Sequence, residues 1–76
     1  MTVIRYSLPR DCQVRLEVYN ILGEKVVTLV NGEQKAGYKM VRWEASAFPS
    51  GIYFCRLRVI GDRLNVEKTR KLILLK

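Results

Sequence analysis

The chain has 76 residues, enough for one small domain, and 49% of them are hydrophobic, which excludes a disordered tail. Fourteen basic residues stand against seven acidic ones, a formal charge of +7, and histidine is absent. Without imidazole there is no Ser-His or Cys-His pair, no imidazole general base and no His-ligated metal. The acids Asp11, Glu17, Glu24, Glu33, Glu44, Asp62 and Glu67 are dispersed, and no two form a metal-ligand or glycosidase-like pattern. A non-catalytic module without a cofactor is the leading class.

The hydrophobic period is two almost everywhere. Residues 2–8 alternate until Pro9 and predict a first strand. In the second, Cys12 to Tyr19, the residues Cys12, Val14, Leu16 and Val18 share one face. Gln13, Arg15, Glu17 and Tyr19 share the other. Asn20 to Glu24 contains Gly23 and reads as a hairpin connection. Lys25 to Val30 predicts a third strand. Asn31-Gly32 is a strong turn signal, extended as a loop through Glu33-Gln34-Lys35 and Ala36-Gly37.

Tyr38 to Ala45 alternates again, with Val41 and Trp43 opposed to Arg42 and Glu44. Ser46 to Gly51 holds Pro49 and predicts a turn. Ile52 to Ile60 is the longest clear strand, with Tyr53, Cys55, Leu57 and Val59 on its apolar face and Phe54, Arg56 and Arg58 on the other. Gly61-Asp62 is a second tight hairpin candidate. Val66 to Leu75 closes the chain as a last strand, with a break anticipated near Thr69. Six or seven short strands with a turn about every ten residues predict an all-β sandwich or barrel in a single domain, 1–76.

Cys12 and Cys55 lie 43 positions apart and form no CxxC motif. Two readings stay open. They are small apolar core residues, or they form a disulfide that would stabilise by about 4 kcal/mol and require an oxidising compartment. Met1 to Pro9 alternates and carries Arg5, unlike the continuous apolar stretch of a secretory signal. No segment approaches the roughly 18 apolar residues of a membrane span.

The order of motifs carries a resemblance. Tyr6-Ser7-Leu8-Pro9 is followed by Val18-Tyr19-Asn20-Ile21-Leu22-Gly23-Glu24-Lys25-Val26. Then come Leu29 to Tyr38, Val41-Arg42-Trp43-Glu44-Ala45, Ser50-Gly51-Ile52-Tyr53-Phe54 and Lys71-Leu72-Ile73-Leu74-Leu75-Lys76. Across essentially its whole length the chain resembles the type A C-terminal sorting domain of the type IX secretion system. The flagellar hook-capping Ig-like domain is similar in pattern.

The resemblance implies an Ig-like antiparallel β-sandwich of about seven strands at the end of a longer secreted protein. It implies an N-terminal cargo, absent from this chain, that reaches the periplasm by an ordinary signal peptide. The partners implied are the outer-membrane translocation machinery, which recognises the domain, and a sortase-like cysteine peptidase. The peptidase often removes the domain as the cargo is attached to surface lipopolysaccharide. The cargo is thereby placed outside the cell or on its surface. The residues implied to carry recognition are Gly51, Tyr53, Lys71, Leu72, Ile73, Leu74, Leu75 and Lys76. Each also has a structural reading: Gly51 opens a strand after a turn, and Tyr53 packs in the core with its hydroxyl at the rim. An Ig-like structural or adhesive module of a cell-surface protein is the alternative function.

Arg15, Arg42, Arg56 and Arg58 project from the polar sides of their strands and outline a basic face, extended by Lys68 and Arg70. Such a face keeps strand edges from pairing, meets an acidic protein or glycan, or, with Tyr19, Tyr38 and Phe54, binds single-stranded nucleic acid. No nucleic-acid motif is present, so nucleic acid is the least favoured of the three.

Overall fold

In the computed structural model, residues 2–61 and 64–75 are described, with the side chain of Leu64 left aside. The elements are β1 (Thr2–Leu8), β2 (Cys12–Asn20), β3 (Lys25–Gln34), β4 (Gly37–Trp43), β5 (Gly51–Gly61) and β6 (Leu64–Leu74). Every pairing is antiparallel. A four-stranded sheet has the order β3-β2-β5-β6, and a two-stranded sheet pairs β1 with β4. The two layers make an all-β sandwich, as the alternating sequence predicts.

Alternation sets the layers. Val14, Leu16 and Val18 of β2 are wholly buried, and in β5 Tyr53, Cys55 and Val59 point the same way. Ile4 of β1 packs on Leu16 and Cys55, and Leu8 packs on Cys12, Val14 and Val59. A third part of the core joins Trp43 and Ala45 to Val18 and Tyr53. Full burial of each such aliphatic or aromatic side chain stabilises by about 1.5–3 kcal/mol.

The Asn20–Glu24 hairpin connection forms as expected. Asn20 Oδ1 accepts the backbone N–H groups of Leu22 and Glu24, each at 3.0 Å. The turn places Gly23 at φ 83°, a left-handed conformation that a side chain would strain.

Asn31-Gly32 departs from the expectation. It is no turn: β3 runs on to Gln34, with Asn31 opposite Arg15 and Gly32 opposite Val14. A two-residue hairpin of this type needs both central residues at positive φ, and Gly32 is not among the positive-φ glycines. Staying extended gives the first half of β2 its hydrogen-bonding partner. The crossing to β4 falls instead at Lys35-Ala36, where Asp11 Oδ1 accepts the Ala36 N–H at 2.8 Å and Lys35 Nζ lies 3.6 Å from Asp11. β4 accordingly starts at Gly37, and it ends at Trp43 rather than Ala45. β6 runs through Thr69 without the anticipated break. Of the Gly61-Asp62 turn, Asp62 lies outside the described residues.

The disulfide reading is overturned. Both cysteines are buried free thiols. Cys55 sits opposite Val18 on the neighbouring strand, and Cys12 lies six residues further along β2. At about 3.3 Å per residue their Cα atoms are roughly 20 Å apart, whereas a disulfide needs about 4.4–6.8 Å.

Candidate docking surface on the last strand

β6 is an edge strand: β5 pairs with it on one side and no described strand on the other. Its register sets Gly51 opposite Leu74, Ile52 opposite Ile73, Tyr53 opposite Leu72 and Phe54 opposite Lys71. The residues of the glycine-tyrosine block and of the tail, which the resemblance implicates in recognition, are distant in sequence but cross-strand neighbours in the sheet. Lys76 lies outside the described residues.

Alternation divides the tail. Leu72 and Leu74 are half-buried and pack on the cluster of Trp43, Ala45, Val18 and Tyr53. Ile73 and Leu75 are 64% and 84% exposed. One parity thus anchors the strand and the other offers large apolar side chains to solvent. Ile21 and Leu22, 68% and 79% exposed, sit on the β2–β3 turn at the same end of the sheet, because Asn20 lies opposite Tyr53. Strand alternation does not mark this turn as part of the surface. Two consecutive apolar residues inside a turn were the available signal.

Tyr53 is buried, and its hydroxyl donates a 2.7 Å hydrogen bond to the Pro49 carbonyl. Its ring meets Trp43 edge-on at 5.4 Å, and Phe48 completes an aromatic trio, 5.4 Å from Trp43 and 6.5 Å from Tyr53. These contacts fix the 44–50 connection against the start of β5. Gly51 has φ 156°, and a Cβ there would meet nothing within 4 Å, so its backbone rather than its surroundings favours glycine.

The basic residues do not form one face. Arg15, Arg56 and Arg58 share the outer side of the four-stranded sheet, where Arg15 lies opposite Arg58 and Glu17 opposite Arg56. Arg42 lies opposite Val3 on the other sheet. Lys68 and Arg70 lie opposite Leu57 and Cys55, on the inward parity of β6. Sequence parity assigns each residue to a side of its own strand, but not one strand's side to another's.

On the shared side part of the charge is matched. Glu67 lies 3.4 Å from Arg56 Nε and 3.3 Å from Arg58. Glu17, on the parity read as exposed, is only 7% exposed. It takes a 3.4 Å ion pair from Lys25 and a 3.2 Å hydrogen bond from the Tyr19 hydroxyl. Arg56 in turn lies over the Tyr19 ring, 4.7 Å from its centre. This is a salt-bridge lattice on a sheet surface, not an open groove for phosphates.

Among the described residues no cluster of His, Cys, Asp or Glu could hold a metal, and no helix is long and apolar enough to cross a membrane. The fold is that of a small all-β antiparallel sandwich whose edge strand ends in exposed apolar side chains. A family model described as the secretion system C-terminal sorting domain matches residues 2–74, and the chain belongs to that family. Searches of curated proteins and of solved structures return no match. The family's role is that of a type IX secretion signal, which implies interaction with that machinery and a secreted or cell-surface parent protein.

Proposed function

We propose that this chain is a non-catalytic secretion signal whose last strand docks on the outer-membrane translocation machinery and sends an N-terminal cargo across that membrane. The carrying observation is the split of the tail on an edge strand. Leu72 and Leu74 hold β6 to the core while Ile73 and Leu75 stay exposed beside an unpaired strand edge. A partner strand adding there gains main-chain hydrogen bonds, and the exposed apolar side chains supply specificity. Ile21 and Leu22 extend the apolar contact at the same end. Gly51 and Tyr53 act by holding β5, and through it β6, in place. A sortase-like peptidase acts after translocation, and the cargo is left secreted or surface-bound.

The test is a reporter carrying a signal peptide at its N-terminus and this chain at its C-terminus, expressed in a host with the type IX system. The expected result is reporter outside the outer membrane, lost when the host's translocation machinery is deleted. Reporter retained in the periplasm, with the domain folded, would overturn the proposal.

A further inference from the structure

We propose that the cleft between β1 and β6 receives an extended acidic peptide segment from a partner, which adds to β1 as a third strand of the smaller sheet. This surface is separate from the exposed tail side chains.

The layers are unequal: four strands face two. β1 lies over β2 and β5 through Ile4 and Leu8; of the inward side chains of β6, Val66 and Leu72 pack on the core clusters, while Lys68 and Arg70 between them are exposed. Between β1 and β6 lies an open cleft of about 490 Å³, lined by Ile4, Leu8, Leu57, Val66, Lys68 and Arg70 among others. Among the described strands, β1 pairs only with β4. Its second edge therefore borders this cleft and presents alternate N–H and C=O groups to it.

The charge selects the occupant. Val66, Lys68, Arg70 and Leu72 share the inward parity of β6. Lys68 and Arg70 are exposed, and neither has a described carboxylate within ion-pair distance. Arg5 lines the same cleft. Inward cations on an edge strand deter pairing at that edge. Here they also rim an apolar floor. A strand added to β1 would turn every second side chain toward β6. Carboxylates at those positions would meet Lys68 and Arg70, and an apolar residue would meet Leu57 and Val66. A segment spanning Ile4 to Leu8 needs about five to seven residues at ~3.4 Å each.

The probe is the palindromic peptide acetyl-Val-Thr-Glu-Thr-Glu-Thr-Val-amide, which places Val, Glu, Glu and Val inward in either strand direction, the two Glu at the two-residue spacing of Lys68 and Arg70. Binding is followed by NMR titration at low salt, with amide hydrogen exchange as the site readout. The expected result is saturable binding that protects β1 amides between Ile4 and Leu8. A peptide with Lys in place of Glu, and one N-methylated at alternate amides, should each bind at least tenfold more weakly. So should the Lys68→Glu/Arg70→Glu variant, provided that its melting curve shows it folded. Three results would overturn the proposal: no binding, protection confined to the outer edge of β6, or equal affinity for the charge-reversed variant. Protection of β1 that rises with protein concentration alone would also overturn it, assigning the cleft to a second copy of the chain.

Discussion

The Tyr53 hydroxyl donates a 2.7 Å hydrogen bond to the carbonyl of Pro49, four residues earlier, and so ties the connection between β4 and β5 to the strand that supports β6. Tyr53→Phe keeps the ring among Trp43 and Phe48 but leaves that carbonyl unmatched. It should cost about 1 kcal/mol, or roughly 4–8 °C in melting temperature for a domain of this size. Tyr53→Ala removes the ring as well and should cost about 3–5 kcal/mol, much of the stability of a small domain. Thermal melts of both variants check the pair. A Phe variant as damaging as the Ala variant would mean that the hydroxyl has a role beyond this bond.

The Cys12–Cys55 geometry predicts a protein indifferent to reductant. The melting temperature should be the same with and without dithiothreitol, and mass spectrometry should find two free thiols. Burial raises the Cys55 thiol above its ordinary pKa, so thiolate-directed alkylation of the folded protein should be slow and should accelerate on unfolding. The thiol stays protonated longer in the folded state. Its contribution to stability is therefore complete below the unfolded pKa and declines as pH rises through the folded one.

Asp11 gives the opposite pH signature. The Ala36 N–H bonded to its carboxylate, with Lys35 nearby, lowers its pKa below the usual carboxylate value. A depressed folded pKa stabilises above the unfolded value, about 3.9, and that gain is lost as pH falls through the folded value. Asp11→Ala should therefore be less stable than wild type at about pH 7, and the gap should close toward about pH 2. Denaturant melts across that range measure it. A pH-independent gap would show that the effect is not ionic.

Glu67 joins Arg56 and Arg58 on the outer sheet surface. Because all three are partly exposed, Glu67→Gln should cost only about 0.5–1 kcal/mol at low salt and less at high salt. It should also leave Arg56 and Arg58 unmatched, so oligonucleotide binding at low salt should rise relative to wild type. Electrophoretic mobility with single-stranded DNA compares the two.

Much of this architecture was legible because period two is a local property. The inward sets of β2 and β5 follow directly from alternation of Cys12 to Val18 and Tyr53 to Val59. What alternation could not supply was non-local. Asn31-Gly32 has strong turn chemistry, yet pairing with Val14 and Arg15 overrides it. Glu17 looks exposed by parity, yet Lys25 and Tyr19 close over it. Arg42, Arg58 and Lys68 look alike on their own strands but face three different surroundings once the sheets are stacked. In the tail, the composition of Leu72 to Leu75 marked the segment. Only the register with β5 separated the anchoring pair Leu72 and Leu74 from the exposed pair Ile73 and Leu75.

The most direct test of the central claim is export of a reporter fusion carrying Ile73→Asp and Leu75→Asp, measured beside the purified domain's melting temperature. Both side chains are exposed, so the substitutions should shift stability by no more than about 0.5 kcal/mol. The expected result is at least a tenfold fall in reporter outside the outer membrane with the melting temperature preserved. Undiminished export by that folded variant would contradict the claim that the exposed side of β6 is the docking surface.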